Sequence, residues 1–279
     1  MKRRAQPWLG TLVEIGIAGD FSESALLALF ETGFGAIRQI HELMSFHAAG
    51  SDVARFNRAA AGGTLEIDAH TYHVLDAALR LQVASNGLFD VRVASRLAAW
   101  DYLPAESPIP PWQPQQIAYR LLPASRVQKL RDDWLDLGGI AKGYAVDHAL
   151  RALRQCGVRQ CGVRQACVNA GGDLRVIGPE PMPVWLRDPQ QPQHMARQLH
   201  LQNQALATSA TYFSARQRDG QALSALVHGV SGAAIVSPAS YSVLAPSCLW
   251  ADALTKVVAA SGDAQHPCLA QFRAEAFII

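Results

Sequence analysis

The hydrophobic residues of this chain recur at two spacings, one typical of strands and the other typical of helices. Apolar and polar positions alternate between Leu9 and Ile17, and this alternation predicts a first β-strand. Apolar residues three or four positions apart between Leu26 and Met44 predict an amphipathic helix. Ser22 or Ser24 stands where a capping residue of that helix is expected.

Glycines mark the ends of further predicted elements. A second helix is predicted to begin after the capping residue Asp68 and to stop at Gly87. The segment Trp134–Leu137 predicts a strand that runs into a pair of glycines. A helix that ends near Leu153 follows this glycine turn.

The second half of the chain is dominated by short predicted strands. Two of them flank Gly171 and Gly172 and predict a hairpin. One more helix is predicted over Trp250–Ala260. The predicted strands are Ala166–Asn169, Leu174–Ile177, Val184–Arg187, Gln198–Leu201, Ala205–Thr208, Ala233–Val236, Ser242–Ala245 and Glu275–Ile279. Because strands and helices do not alternate regularly, this order predicts the α+β class.

A proline-rich stretch interrupts the chain between Pro104 and Pro123, where six prolines occur. It could be a linker between two domains or a surface insert in one domain. The strands after it are short and need partners, which favours the insert. We therefore expect one domain over residues 1–279, with an insert at about 104–123.

Composition and charge narrow the class of protein. Of the 279 residues, 49% are hydrophobic and 17% are charged, which is enough for a sizeable core and argues against disorder. The formal net charge of +2 gives no basic excess, so we expect no nucleic-acid partner. An uncharged span over residues 220–251 is broken by glycines and prolines, so we expect no membrane span.

The cysteines and the first residues bear on the compartment. Five cysteines, an odd number without C-x-x-C spacing, are typical of small buried thiols in a reducing compartment. The residues Met1–Arg4 are similar to the start of a signal peptide, but no apolar run follows them. The sequence as given predicts a cytoplasmic protein, or a periplasmic one that has already been processed.

One short repeat stands out, because Arg154–Val158 recurs at once as Arg159–Val163. Five residues are too few for a solenoid unit. A local duplication in a surface turn is the simplest interpretation, and we assign it no function.

The strongest candidate for chemistry is the segment Asp136–Asp147. A strand, two glycines and a helix N-terminus present free backbone N–H groups that suit a phosphate, and Lys142 adds a cation. It is not a Walker A loop, because no Ser or Thr follows the lysine. Taken alone, the segment fits an ordinary glycine turn with a solvated lysine equally well.

Three other segments have weaker signals. Asn169–Asp173 has ordinary hairpin composition, and Gly87–Asp90 fits a helix stop followed by a capping acid. Asp252 and Thr255 lie one helical turn apart and could hold a hard cation, although such an acid is more often a cap or a partner of the helix dipole.

In their combination and order, these segments resemble the ApbE family, the FAD:protein FMN transferases, over nearly the whole chain. The matching pieces are Leu9–Thr11, Met44–Asn57, Gly87–Asp90, Asp136–Asp147, Asn169–Asp173, Ala207–Ser209, Ser242–Val243 and Ala251–Ala253. The resemblance implies an ApbE-like, T-fold-like mixed domain with an antiparallel sheet and flanking helices.

The resemblance also implies an activity, a cofactor and a partner. FAD would be cleaved and FMN transferred through its phosphate to a threonine of a protein acceptor, with release of AMP. The implied magnesium ligands are the Gly139 carbonyl, Asp252 and Thr255. The implied catalytic residues are His228, Asp252 and Lys142. The implied flavin contacts are Leu9, His47, Leu88, Phe89, Asp90, Asp136, Lys142 and Val243.

The sequence departs from the family pattern at three places. Lys256 stands where the family has a further threonine ligand, and its ammonium either lies near Asp252 or points elsewhere. His47 replaces a tyrosine. Around residues 225–232 either Ala225 or His228 occupies the position of the family's histidine. These departures leave two alternatives, an FAD-binding protein with reduced or lost transfer and a metal-dependent FAD pyrophosphatase.

Overall fold

A seven-stranded antiparallel sheet is the centre of the fold. The computed structural model describes residues 1–105, 108–114, 116–156, 162–211 and 214–279. The strands are β1 (Lys2–Trp8), β2 (Thr11–Gly19), β3 (Thr64–Glu66), β4 (Tyr119–Leu122), β5 (Arg126–Lys129), β6 (Val163–Ala170), β7 (Asp173–Ile177), β8 (Met182–Arg187), β9 (Met195–Leu201), β10 (Ala205–Ala210), β11 (Arg216–Arg218), β12 (Gln221–Leu223), β13 (Ser240–Ala245) and β14 (Glu275–Ile278). The order in the large sheet is β1-β2-β6-β7-β10-β13-β14.

The helices are α1 (Glu23–Met44), α2 (Asp52–Arg58), α3 (Ala69–Ala84), α4 (Ala94–Ala99), α5 (Ala141–Cys156), α6 (Cys248–Ser261) and α7 (Cys268–Gln271). Three of them, α1, α5 and α6, pack along the strands on one face of this sheet. Successive side chains of a strand point to opposite faces, so Ala166 and Val168 of β6 join the main core beside the helices. Cys167 joins a smaller core on the other face, which the β8–β9 hairpin covers.

The α+β class and several local predictions are confirmed. The Ser22 side chain accepts the N–H of Ala25 at the start of α1, and Asp68 accepts the N–H of His70 at the start of α3. β6 and β7 form the predicted hairpin around two glycines with positive φ. The predicted helix over Trp250–Ala260 is α6, which begins two residues earlier.

The predicted first strand is wrong at its beginning. Leu9 and Gly10 both have positive φ and form the turn between β1 and β2. The strand β1 before this turn was not predicted, because its exposed charged residues hide the alternation. Lys2, Arg3 and Arg4, which resemble the start of a signal peptide, lie in this edge strand.

Two other predicted strands are also wrong. Trp134–Leu137 is extended but pairs with no strand. Instead, the Asn57 side chain accepts the Leu135 N–H at 2.8 Å and donates to its carbonyl at 2.9 Å. Ala233–Val236 makes only a single bridge, from Ala234 to Val227. In the first segment hydrogen bonds to a side chain replace a ladder, and in the second a single bridge does.

The segment of the predicted insert at about 104–123 includes a strand at its C-terminal end, because β4 pairs with β5 in a three-stranded sheet. The described residues of this insert that precede β4 form no helix or strand, but they are anchored to the domain. The Arg92 guanidinium donates to the Gln113 carbonyl at 3.0 Å.

Cys167, Cys248 and Cys268 are buried thiols as expected, whereas Cys156 is exposed at the end of α5. Cys161 and half of the short repeat lie outside the described residues. Among the helices that the structure describes, none combines the length and apolar character that crossing a membrane needs.

Candidate functional site

Two cavities meet at the N-terminal end of α5. Their volumes are about 320 Å³ and about 220 Å³. They form one crevice because they share lining residues, namely Leu97, Asp136, Gly138, Lys142 and Ala225. We refer to this combined space as the crevice.

Seven of the eight flavin contacts implied by the resemblance line the crevice. Leu9 and His47 line the larger cavity, and Leu88, Phe89 and Asp90 line the smaller one. Asp136 and Lys142 line both. The eighth residue, Val243, is fully buried in β13 and lines neither cavity.

The β1–β2 turn and the Asn57 clamp bring distant parts of the chain to this crevice. Two successive positive φ values at Leu9 and Gly10 close a tight hairpin, which places Leu9 at the crevice. Asn57 fixes the backbone of Leu135 on both sides, and this contact positions the next residue, Asp136. Asn57, the last residue of the Met44–Asn57 segment, therefore acts by positioning Asp136.

The carboxylate of Asp90 is engaged within the protein. It accepts the Arg92 backbone N–H at 2.9 Å and forms a buried ion pair with the Arg92 guanidinium. Burial raises the pKa of Asp90, although Arg92 opposes this effect. Asp90 therefore lines the smaller cavity as a residue whose carboxylate is paired with Arg92.

Four charged side chains converge beneath the crevice, and we call Lys142, Asp173, Asp252 and Lys256 the charge cluster. The Lys142 ammonium lies 2.8 Å from Asp173 Oδ2, 3.5 Å from Asp252 Oδ2 and 3.2 Å from the Gly138 carbonyl oxygen. Lys256 forms an ion pair with Asp252 Oδ1 and donates to the Asp252 carbonyl oxygen at 3.0 Å. The two acids and two lysines balance in charge.

The acidic side chains of the charge cluster keep Lys142 charged. Burial alone would lower the pKa of Lys142, but Asp173 and Asp252 raise it well above its usual value. Burial and the nearby Asp252 raise the pKa of Asp173. Burial also favours the neutral form of Asp252, yet Lys142 and Lys256 bring its pKa below the usual range. Asp252 is therefore a buried carboxylate.

A close approach of α5 and α6 makes this arrangement. The Gly143 N–H donates to Asp252 Oδ2 at 3.0 Å, and a Cβ at Gly143 would lie 2.2 Å from the Cys248 carbonyl oxygen. Only glycine fits there. Asp147, one turn further along α5, accepts the N–H groups of Cys248 and Leu249 at 2.9 Å and so caps α6.

The implied magnesium ligands are of the right chemistry but are already engaged. Carboxylate, hydroxyl and carbonyl oxygens are the donors that a hard cation prefers. Thr255 is fully buried; its hydroxyl donates to the Asp252 carbonyl oxygen at 2.7 Å and lies 2.7 Å from Ser209 Oγ.

The Lys256 side chain lies where a cation would have to approach the implied magnesium ligands. A Cβ built on Gly139 would lie 3.3 Å from Lys256 Cε, so the lysine stem runs along this glycine. Its ammonium takes Asp252 Oδ1. In the part of the chain that the structure describes, no group of three or more His, Cys, Asp or Glu residues is arranged to hold a metal ion. With Lys256 in this position, the residues do not fit a divalent cation.

The structure does not bring His228 to the crevice. Its Nδ1 accepts the N–H groups of Val230 and Ser231 at 3.3 Å and 3.2 Å, so the imidazole stabilises a turn. Ala225 lines both cavities instead. Of the two candidates for the position of the family's histidine, the one that lines the crevice is therefore Ala225.

Sequence reasoning missed two residues of the site. Asp173, the last residue of the Asn169–Asp173 segment, is the main partner of Lys142. Ser209 ends the Ala207–Ser209 segment, lines the smaller cavity and contacts Thr255. Both belong to segments that carry the family resemblance, which was the available signal.

Comparisons with known proteins agree with the family resemblance and the fold. A family model described as the ApbE family matches residues 9–278. The FAD:protein FMN transferase of Haemophilus influenzae is 26% identical over 88% of this chain and 77% of its own length. That of Rhodobacter capsulatus is 28% identical over 94% of this chain and 51% of its own length.

Solved structures show the same architecture. The ApbE protein of Thermotoga maritima superposes with a TM-score of 0.83 at 24% identity, covering 100% of this chain and 94% of the other. The apo flavinyl transferase ApbE of Pseudomonas stutzeri gives a TM-score of 0.82 at 22% identity, with coverages of 99% and 90%. The predicted ApbE-like fold is confirmed, and the chain belongs to the ApbE family.

Proposed function

We propose that this chain is a flavin transferase that cleaves FAD, transfers FMN to the hydroxyl of a threonine in an acceptor protein, and releases AMP. Its curated relatives are named FAD:protein FMN transferases. The observation that carries the proposal is the convergence of seven implied flavin contacts on one crevice. We further propose that residues 1–279 act as one domain.

The N-terminal end of α5 is where the pyrophosphate of FAD would lie. Gly138 is exposed at the crevice, and the positive end of the helix dipole of α5 there attracts phosphate. Lys142 in the first turn adds a permanent positive charge, which the neighbouring acids maintain. The flavin would then extend into the larger cavity, between Leu9 and His47.

The transfer step breaks the phosphoanhydride linkage of FAD and forms a phosphoester linkage to the acceptor. The threonine Oγ would attack the phosphorus of the FMN half and form a P–O bond. The bond from that phosphorus to the bridging oxygen would break, and AMP would leave with the electron pair. Positioning and charge stabilisation supply most of the catalysis in such reactions.

The hydroxyl proton needs an acceptor at the crevice, and we assign Asp136 to that role. Its carboxylate lines both cavities and accepts the Gly138 N–H at 3.2 Å. Burial raises the pKa of Asp136, which makes it a better proton acceptor than a solvated aspartate. The catalytic role of His228 stays a prediction from the resemblance.

Magnesium likewise stays a prediction from the resemblance. If it bound, the Gly139 carbonyl, Asp252 and Thr255 would hold it, and it would neutralise charge on the FAD phosphates. Lys256 takes one Asp252 oxygen, whereas Gly143 and Lys142 engage the other. No step of the proposed transfer is assigned to the ion.

A second candidate function is FAD binding with reduced or lost transfer. One observation favours it: Ala225, which cannot accept a proton, faces the crevice, and His228 is held in a turn outside it. The crevice and its lysines would bind FAD in either case.

Product analysis separates these functions. The purified protein is incubated with FAD and the acceptor protein of a related FAD:protein FMN transferase, and the intact mass of the acceptor is measured. We expect the acceptor to gain FMN and AMP to appear, and an acceptor with valine at the threonine to gain nothing. Free FMN with AMP would indicate a pyrophosphatase. Bound, unaltered FAD would support the second candidate.

A further inference from the structure

Lys256 lies in the part of the crevice where the FAD pyrophosphate would bind. Its side chain is 18% exposed, whereas the Asp252 carboxylate beside it is fully buried. It lines the smaller cavity together with Gly139 and Lys142. Asp252 therefore holds the ammonium on its buried side, and Lys256 faces the crevice on the other side.

The hydrogen-bonding capacity of the two lysines differs. An ammonium has three N–H donors. Lys142 has three oxygen partners, on Gly138, Asp173 and Asp252. Lys256 has two, Oδ1 and the carbonyl oxygen of Asp252, within the part of the chain that the structure describes. One donor of Lys256 thus remains available to a ligand in the crevice.

A divalent cation and the Lys256 ammonium compete for the same place. Both would bind Asp252 Oδ1 beside Gly139, and two positive charges on one oxygen repel each other strongly. The Asp252 oxygen on the other side already accepts the Gly143 N–H at 3.0 Å. The lysine is covalently attached, so the cation would have to displace it.

We propose that Lys256 takes the place of a divalent cation in this chain, so that its ammonium and that of Lys142 bind the FAD pyrophosphate without a metal ion. This inference rests on the proposed function, because it assumes that FAD occupies the crevice. It assigns Lys256 as a phosphate-binding residue. The phosphate-binding site of this chain thereby differs from the magnesium site that the family resemblance implies.

The test compares FAD binding with and without magnesium. Flavin fluorescence is titrated for the wild type in EDTA and in excess Mg²⁺, with riboflavin as a ligand that lacks the pyrophosphate. We expect the FAD affinity to agree within about twofold in the two buffers. An affinity at least about tenfold higher in Mg²⁺ would overturn the inference, because one charge-assisted hydrogen bond accounts for about that factor.

Variants of the lysine sharpen this comparison. Lys256→Met should weaken FAD binding about tenfold or more in EDTA and leave riboflavin binding unchanged. Lys256→Arg should retain FAD binding, and Lys256→Thr should regain it only when Mg²⁺ is added. Lys2→Met, which removes the same charge from the far end of β1, is the matched control. Unchanged FAD affinity in Lys256→Met would also overturn the inference.

The outcomes separate this inference from the proposed function. If the wild type binds neither FAD nor riboflavin in either buffer, the flavin site and the inference both fail. If it binds FAD only with Mg²⁺, the proposed function stands and the inference alone fails. The wild-type comparison decides the question even if Lys256→Met does not fold, which thermal unfolding of each variant would show.

Discussion

Gly143 is the residue on which the packing of α5 against α6 depends most directly. In Gly143→Ala, the new Cβ would lie 2.2 Å from the Cys248 carbonyl oxygen and 2.8 Å from the Asp252 Cβ. A backbone carbonyl within a helix cannot rotate away. The two helices must therefore separate, and the 3.0 Å hydrogen bond from the Gly143 N–H to Asp252 would lengthen.

The expected loss of stability follows from two opposing effects. Alanine gains about 1 kcal/mol over glycine in a helix interior. Overpacking of this severity costs about 3 kcal/mol. We expect a net decrease of about 2 kcal/mol in the free energy of unfolding, which corresponds to a decrease of about 4–8 °C in Tm.

Urea unfolding of Gly143→Ala and of a matched control measures this effect. Gly35 also lies in a helix, α1, but nothing lies within 4 Å of a Cβ built there. Gly35→Ala should raise the free energy of unfolding by up to about 1 kcal/mol. If Gly143→Ala were as stable as the wild type, or gained as much as the control, the close helix contact would be refuted.

Three further predictions concern single side chains. Asp136→Asn should slow single-turnover transfer by about 10²–10⁴-fold while FAD affinity changes less than about tenfold; equal losses in both would remove Asp136 as the proton acceptor. Asp90→Ala leaves the buried Arg92 guanidinium without its carboxylate and should cost about 3–5 kcal/mol in urea unfolding, whereas a loss confined to FAD affinity would contradict its structural role. Burial lowers the pKa of His148 from 6.5 to about 4, so the unfolded chain binds a proton more readily. Its contribution to stability should be complete above pH 6.5 and fall as the pH drops toward 4, and Tm measured across this window should fall less in His148→Gln; identical pH profiles would contradict this.

Elements that depend on neighbouring residues were predictable from the sequence. The caps at Ser22 and Asp68 and the hairpin at Gly171 and Gly172 are determined within a few residues, and the structure has all of them. β1 was missed because an exposed edge strand needs no apolar alternation. Trp134–Leu137 resembles a strand in sequence, but its hydrogen-bond partner is the side chain of Asn57, 78 positions before Leu135.

The site was predictable through the order of its segments rather than through its contacts. Seven of the eight flavin contacts that the resemblance implies meet at the crevice. Val243, which lies in the core in β13, and His228 do not. The pairing of Lys142 with Asp173 joins α5 to β7, and no local pattern reports such a contact. From the sequence, the Lys256 ammonium could lie near Asp252 or point elsewhere. In the structure its stem runs along Gly139 and its ammonium pairs with Asp252.

The central claim is that the crevice binds FAD, and filling the crevice tests it most directly. Ala225 is exposed, lines both cavities and carries no charge, so Ala225→Trp would block them without removing any member of the charge cluster. FAD is titrated into the wild type and the variant while flavin fluorescence is followed, and thermal unfolding confirms that both are folded. The account predicts saturable binding to the wild type and none to Ala225→Trp. Equal FAD affinity in the two proteins, or no saturable binding to the wild type, would contradict it.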